Sequence, residues 1–323
     1  MHIYDLFEAA NLHSIRAGRD VFQLCLREDK ANPRHIPDSL ECSVKKDGMF
    51  IFAALHQESN YDKGIPILFA RSGNQITNQA LLNLPENIID LTRQNSRMLF
   101  QFELKSTKLR NSVFNGAVSP VRKKPLDTET AALLRCNEMW LTDVVPVQDF
   151  AGFSSCPLPR WERRRLMNDF KKEHDLLVPE WKMLDHARML SWADELIAAG
   201  EEGVCGYNPN GFYEPGARRA DLVIKKAKEI SLDLKCVAVR PGKKGKRLGM
   251  AEGFDIQYGD KVIKADLGEG WTDEMRIHVL RNPSEAVGHI FRVYAFDKSE
   301  LGQLRQPKVG ERRDDKTTPD EAE

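Results

Sequence analysis

No apolar run in this sequence approaches the roughly 18 residues that a membrane-spanning helix needs, so no membrane partner is expected. The first residues, Met1-His2-Ile3-Tyr4-Asp5, lack the basic and apolar regions of a secretory signal, and the expectation is a cytosolic protein. Paired cysteines are missing as well. Cys25, Cys42, Cys136, Cys156, Cys205 and Cys236 form no CxxC, which argues against a zinc knuckle. In a reducing compartment they read as free thiols in or near the core. Neither sign of charge is in excess: 48 basic residues balance 48 acidic ones, which argues against a generic nucleic-acid coat. There is no internal repeat and little low-complexity sequence.

What is present is a soluble balance, with 41% hydrophobic and 30% charged residues in a chain of 323. That length suits one large domain or two smaller ones. The charge is local. Arg160, Arg163, Arg164 and Arg165 cluster, as do Arg240, Lys243, Lys244, Lys246 and Arg247, so a neutral chain can still carry a basic face.

The patterning predicts strands at residues 49–55, 67–70, 98–102 and 138–147, with Pro66 opening the second. Helices are expected at 78–91, 161–174 and 180–201, the last ended by Gly200. After about Asp233 the texture changes to short strands separated by glycine and charge, at 234–239, 248–256, 262–267 and 289–296, with a helix at 272–281. A compact array of this kind suits a small five-stranded barrel of the oligonucleotide-binding type. The tail from Lys316 is expected to fray.

Six short segments could carry chemistry. Lys45-Lys46-Asp47-Gly48 opens a strand; partial burial and nearby cations would lower the lysine's pKa and free it to attack, and Gly48 permits close approach. Arg71-Ser72-Gly73 lies in a turn, where an arginine fork could hold a ribose or phosphate. Glu103 stands among apolar strand residues and needs a partner such as a metal or ribose. Glu202-Gly203-Val204 follows the long helix. Lys225-Lys226-Ala227-Lys228 offers two lysines at i and i+2, able to grip one phosphate, with a one-residue shift to Lys225 and a neighbour left open. Arg305-Gln306-Pro307 precedes Arg313-Asp314-Asp315-Lys316.

Each segment is weak alone, but together and in this order they resemble the six collinear motifs of covalent nucleotidyltransferases, and among these the small ATP-dependent DNA ligases of bacteriophage type. Tyr213-Glu214-Pro215-Gly216 with Arg218-Arg219 adds to the likeness. The resemblance implies an α+β fold: an ATP-grasp-like nucleotidyltransferase (adenylation) domain over residues 1–233, then an OB-fold β-barrel over 234–323 with a disordered acidic tail. It implies that a monomer seals nicks in duplex DNA, using ATP and Mg2+ in a bacterial or phage-infected host cytosol. Lys45 would carry AMP, with Asp47 orienting its surroundings. Lys226 and Lys228 would hold the transferring phosphate, and Arg313 and Lys316 the leaving pyrophosphate. Val44, Arg71, Glu103, Trp140 and Glu202 would bind the nucleotide, with Glu202 and Glu103 also on the metal. Arg71, Arg218, Arg240, Lys243, Lys244, Lys246 and Arg247 would contact DNA.

The sequence departs from the family at four places. Phe50 replaces an arginine, Gln101-Phe102-Glu103 replaces DGE, and Tyr207 replaces a lysine. Thr142 stands where an aromatic stacks on adenine, and Trp140, on the same strand face, is the expected substitute. Rival readings are an RNA capping guanylyltransferase, an RNA ligase, or a non-catalytic nucleic-acid-binding protein on a ligase scaffold.

Overall fold

The computed structural model describes residues 2, 3, 5, 22–55, 65–151, 156–296, 298 and 302–321. It divides into two compact units, Met1–Ala227 and Lys228–Glu323. Among the described residues no helix is long and apolar enough to cross a membrane.

The first unit is built on two sheets. One has the order β1-β9-β8-β2-β7, from β1 (Leu26–Arg27), β2 (Leu40–Lys45), β7 (Trp181–Leu184), β8 (Gly203–Tyr207) and β9 (Val223–Ala227). The other has the order β4-β3-β5-β6, from β3 (Met49–Ala54), β4 (Ile67–Ala70), β5 (Met98–Ser106) and β6 (Asn137–Pro146). The helices are α1 (Glu86–Gln94), α2 (Asn111–Val118), α3 (Thr128–Leu133), α4 (Val147–Ala151), α5 (Arg160–His174) and α6 (His186–Ala198).

Strand alternation sorts the second sheet into two faces. Ile51, Ala53, Phe100, Phe102, Leu104 and Leu141 bury one face against Ile88, Leu91, Phe114 and Met167 from the helices. Each such side chain contributes roughly 1.5–3 kcal/mol by leaving water. The opposite face carries Phe50, Glu103 and Trp140, aligned across three strands. In the first sheet, Leu40, Cys42, Val44, Val204 and Ile224 pack beneath Met189, Trp192 and Ala193 of α6.

The second unit is a closed barrel in the order β10-β11-β12-β14-β13, from β10 (Ile230–Pro241), β11 (Ala251–Tyr258), β12 (Lys261–Leu267), β13 (Ile290–Ala295) and β14 (Lys308–Arg312), with helix α7 (Asp273–Arg281). Phe254, Phe291, Ile256 and Val293 fill it, and Trp271 packs against them. Closure removes the exposed strand edges of an open sheet.

Several expectations need revision. The segment 180–201 is not one helix. Trp181–Leu184 pairs with Leu40–Ser43 as an edge strand, and Asp185 then caps α6 by accepting from the Arg188 N–H at 2.8 Å. By contrast, the 78–91 segment is a helix with its approach, as expected: a short 3₁₀ turn at Gln79–Leu81, then α1 after Pro85. The first barrel strand starts at Ile230, ahead of Asp233, because residues 230–235 pair in unbroken register with β13. The tail does not fray at Lys316. Asp320 N–H donates to Asp233 O at 2.7 Å, and Asp233 N–H donates to Asp320 Oδ2 at 2.7 Å.

The arginine cluster is not a basic face. Arg160, Arg163 and Arg164 are 1–3% exposed. Arg160 and Arg164 donate to Glu41 at 2.9 and 2.6 Å, and Arg163 donates to Asp143 at 2.9 Å. Helical spacing puts these three arginines on the buried side of α5, where two carboxylates from different sheets meet them.

Candidate active site

Strand β2 leaves the first sheet at Lys45, and the turn Lys46-Asp47-Gly48 carries the chain into β3 of the second. The turn leaves no space for a side chain at Gly48, where a Cβ would lie 2.7 Å from Leu104 O and 3.0 Å from Glu103 Cγ. Asn111 fixes the turn by donating from Nδ2 to Asp47 Oδ2 at 2.7 Å. Lys45 pairs with Gly203 in register, so its side chain rises at the start of β8 beside Glu202. Gly203 itself has φ +138°, a conformation that disfavours any other residue.

Lys45 Nζ lies 2.5 Å from Glu202 Oε2, with both side chains about one-fifth exposed. Lys46 makes a parallel pair with Glu201 at 2.7 Å. Burial works to lower the Lys45 pKa, but Glu202, Cys205 and Glu103 act the other way, and the ammonium is held above the ordinary lysine range. The expected lowering is therefore reversed, because the Glu202 carboxylate lies directly against this lysine. Glu103 shows the complementary effect. Burial first, and then repulsion from Glu202 and Asp47, push its carboxyl up to about 8 despite the attraction of Lys45.

Trp140 aligns with Glu103 and Phe50 on the open face of the second sheet, and Lys46 Nζ sits 4.7 Å from its ring centre. Thr142 lies at a bulge, where Gln101 aligns with Asp143 and Phe102 with Leu141. The Thr142 hydroxyl accepts from Gln101 Nε2 at 2.9 Å. Phe50 joins Phe22 and Phe52 at ring separations of 5.4 and 5.5 Å, so the position of the usual arginine belongs to an aromatic cluster. Tyr207 lies under the Arg160 guanidinium, 3.9 Å from its ring centre. The Val44 side chain is in the core, and its N–H donates to Glu180 O at 2.9 Å.

Register corrects the lysine pair. Lys225 aligns with Cys205 and Ser43, on the face that carries Lys45. Lys226 aligns with Val204 and Val44, whose side chains pack on the α6 face. The i+2 neighbour of Lys225 is Ala227, the last residue of β9. Lys228 opens the second unit. Arg71 and Arg218 are exposed; Arg71 directly follows β4, whose last residue Ala70 pairs with Ile51 of β3.

Arg313 and Lys316 converge on Asp233 within the barrel unit. Their nitrogens lie 2.7 and 2.8 Å from Asp233 Oδ2, and Arg292 Nε lies 3.1 Å from Oδ1. These cations hold the Asp233 carboxyl below its ordinary range even though burial acts to raise it. In the basic loop, Arg240 pairs with Asp266 at 3.0 Å and Arg247 with Asp273 at 2.8 Å. Lys243 and Lys244 are exposed; Lys246 is 69% exposed and 3.6 Å from Asp273.

Sequence reasoning missed Asn111, Glu201, Asp233 and the pair Cys25–Cys205. Only Glu201 had a local signal, since it adjoins Glu202. The others act across sequence separations that no short motif records. Among the described residues no group of three or more His, Cys, Asp or Glu is arranged to hold a metal. Glu202 and Glu103 nevertheless bring two carboxylates to Lys45, a donor set that suits magnesium sharing its shell with phosphate oxygens and water.

No family model matches the chain. A protein named DNA ligase from Methanocella arvoryzae is 27% identical over 136 residues, covering 40% of this chain and 24% of its own length. A second, from Methanothrix thermoacetophila, is 29% identical over 199 residues, covering 53% of this chain and 35% of its own length. The matches thus span about a third or less of these archaeal relatives. Among solved structures, Pmar-Lig_PreS3 superposes with a TM-score of 0.67 at 18% identity over 90% of this chain and 67% of its own. A Lig E DNA ligase gives 0.59 at 18% identity over 93% of this chain and all of its own. The ATP-dependent DNA ligase of bacteriophage T7, solved with ATP, gives 0.50 at 15% identity over 90% and 98%. In fold the chain is similar to these DNA ligases, with a two-sheet unit followed by a closed five-stranded barrel.

Proposed function

We propose that this chain is an ATP-dependent DNA ligase that seals nicks bearing a 5′-phosphate and a 3′-hydroxyl. The observation that carries the reading is the convergence on Lys45: a lysine at a strand end, between Glu202 and Glu103, on a turn that admits only glycine at Gly48. That site lies in a fold shared with proteins that do this chemistry.

Lys45 must shed a proton before it attacks. Glu202 Oε2 is the acceptor within reach, at 2.5 Å. The Lys45 nitrogen then bonds to the α-phosphorus of ATP, and the bond to the β-phosphate oxygen breaks, releasing pyrophosphate. An oxygen of the DNA 5′-phosphate next takes AMP from Lys45, breaking the P–N bond. The 3′-hydroxyl then attacks that 5′-phosphorus, and AMP departs with the bridging oxygen. Each transfer depends on in-line placement and on neutralising charge at phosphorus. Lys225 supplies positive charge on the Lys45 face. Glu202 and Glu103 would hold magnesium, which would supply positive charge to the phosphates. Trp140, aligned with Glu103 on the open face of the second sheet, is assigned to the base.

Arg313 and Lys316 are assigned to the leaving pyrophosphate, and each must first let go of Asp233. Lys243, Lys244 and Lys246 are assigned to DNA phosphates, because an enzyme that seals any sequence reads the backbone. Arg240 and Arg247, tied to Asp266 and Asp273, brace that loop.

The test is label transfer. The protein is incubated with Mg2+ and α-labelled ATP, α-labelled GTP or adenylate-labelled NAD, then with nicked duplex. Label from ATP alone, surviving denaturation and discharged by nicked DNA, is the expected result. Label from GTP would instead indicate capping chemistry. No label from any donor, in folded protein that binds DNA, would leave a binding scaffold.

A further inference from the structure

Cys25 and Cys205 take no part in the transfers above, yet they lie on the Lys45 face. Cys205 is on β8, two residues from Gly203, the register partner of Lys45, and it aligns with Ser43 and Lys225. Cys25 comes from the segment that leads into β1. Its sulfur is 3.8 Å from that of Cys205, and both are free thiols. The segment is anchored before Cys25, where Gln23 N–H donates to Tyr213 Oη at 3.1 Å and Leu24 N–H donates to Ala217 O at 2.9 Å, and after it, where Leu26 pairs with Ile224.

The other buried cysteines differ in chemistry. Burial pushes the Cys42, Cys156 and Cys236 thiols up to about 12, 11 and 12, so they are poor nucleophiles at neutral pH. At Cys25 the hydrogen bond shared with Cys205 outweighs burial. With the charges of Lys225, Lys45 and Arg160 it brings the thiol down to about 7. Cys205 is held correspondingly high. Of the two sulfurs, Cys25 is shifted toward the thiolate and Cys205 away from it.

We propose that Cys25 and Cys205 form an oxidisable dithiol, and that their disulfide shuts the nucleotide site and makes self-adenylation depend on reduced thiols. The inference rests on the reading of Lys45 as the nucleotide acceptor. The chemistry is thiol–disulfide exchange with a small-molecule disulfide. The Cys25 thiolate attacks one sulfur of that disulfide, forming a mixed disulfide and expelling one thiolate. Cys205 then loses its proton and attacks the Cys25 sulfur, expelling the second thiolate. One disulfide is reduced to two thiols while the protein dithiol loses two electrons and two protons. Closing 3.8 Å to the roughly 2 Å of an S–S bond draws the Cys25 segment tighter against the face that carries Lys45 and Lys225.

The experiment treats the full chain with oxidised glutathione. It reads non-reducing peptide maps, ATP retention by equilibrium dialysis, and labelling by α-labelled ATP before and after dithiothreitol. The expected result is a Cys25–Cys205 cross-linked peptide, loss of ATP retention, and labelling reduced to the level of a Lys45→Ala control, all restored by dithiothreitol. Cys25→Ser should label as the reduced protein does and be indifferent to the oxidant. Failure to find the cross-linked peptide overturns the proposal. So does a cross-linked protein that still retains ATP, or a Cys25→Ser protein that is still inhibited. Reduced protein that retains ATP without being labelled contradicts the proposed function instead, and the peptide map and dialysis still decide the dithiol.

Discussion

Lys45 is caught between two requirements. To attack phosphorus it must be neutral, but the carboxylates around it hold its proton in place. A side chain arranged this way is stored as an ion pair and becomes a nucleophile only when positive charge arrives with the substrate. Lys225, on the same face, is the protein's own contribution to that charge. Lys225→Ala should slow ATP labelling on the order of 100-fold, the cost of removing one preorganised group from a phosphoryl transfer. Lys226→Ala, on the opposite face, should change the rate by no more than about threefold, as for a surface change away from a site. Single-turnover labelling with both variants checks the assignment, and the reverse order of effects would contradict it. Glu103 permits a stability test. Its carboxyl titrates near 8 in the folded protein against an ordinary 4.5. The folded state keeps the proton that the unfolded chain gives up, so this group's stabilisation is complete below pH 4.5 and is lost as pH rises toward 8. Without divalent metal, Tm should fall over that interval. Glu103→Gln should flatten the fall, and parallel curves for the two proteins would remove Glu103 as its cause.

At the scale of elements, helix α5 joins the two sheets by burying three arginines on Glu41 of β2 and Asp143 of β6. Breaking a buried pair by removing one partner's charge costs about 3–5 kcal/mol, because the other charge stays behind without compensation. Glu41→Gln should therefore destabilise the first unit by about that amount, measured by urea unfolding; an unchanged midpoint would mean that the arginines are compensated elsewhere. This network also shows what the sequence could not convey. Strands β3, β5 and β6 and the barrel strands were legible, because alternation and β-rich composition are local signals. Helix α5 was legible as a helix, but its arginines looked like surface, since their carboxylates lie more than 100 residues away for Glu41 and 20 away for Asp143. The 180–201 segment was misread because Trp181 and Leu184 fit helical spacing, while the pairing that makes them a strand comes from β2. The register of the lysine pair stayed open for a similar reason. Four residues with three lysines fix no register, and only the alignment with Val204 and Cys205 shows which lysine faces Lys45.

The whole molecule is electrically neutral, so binding to a polyanion must come from local charge. The loop between β10 and β11 gathers Lys243, Lys244 and Lys246, while its two arginines are engaged by aspartates. Replacing the three lysines by glutamine should weaken binding to a nicked duplex. It should also lower the slope of log K against log salt by about 0.9 for each phosphate that is no longer neutralised. An unchanged slope, from binding measured across a salt series, would remove the loop from the interface. The order of motifs along the chain, from Lys45 to Lys316, was the most informative feature of the sequence, because six weak signals in one order constrain the whole fold. It left open how each residue is held before substrate arrives: Lys45 by Glu202, and Arg313 and Lys316 by Asp233. Every step of the proposed reaction turns on Lys45 becoming covalently adenylated. Peptide mapping by mass spectrometry, after incubation with ATP and Mg2+, reads that adduct without an intermediary. One AMP adduct should appear, on the peptide containing Lys45, and it should vanish when nicked DNA is added. An adduct on another lysine, or none in protein that binds ATP, would contradict the assignment of Lys45.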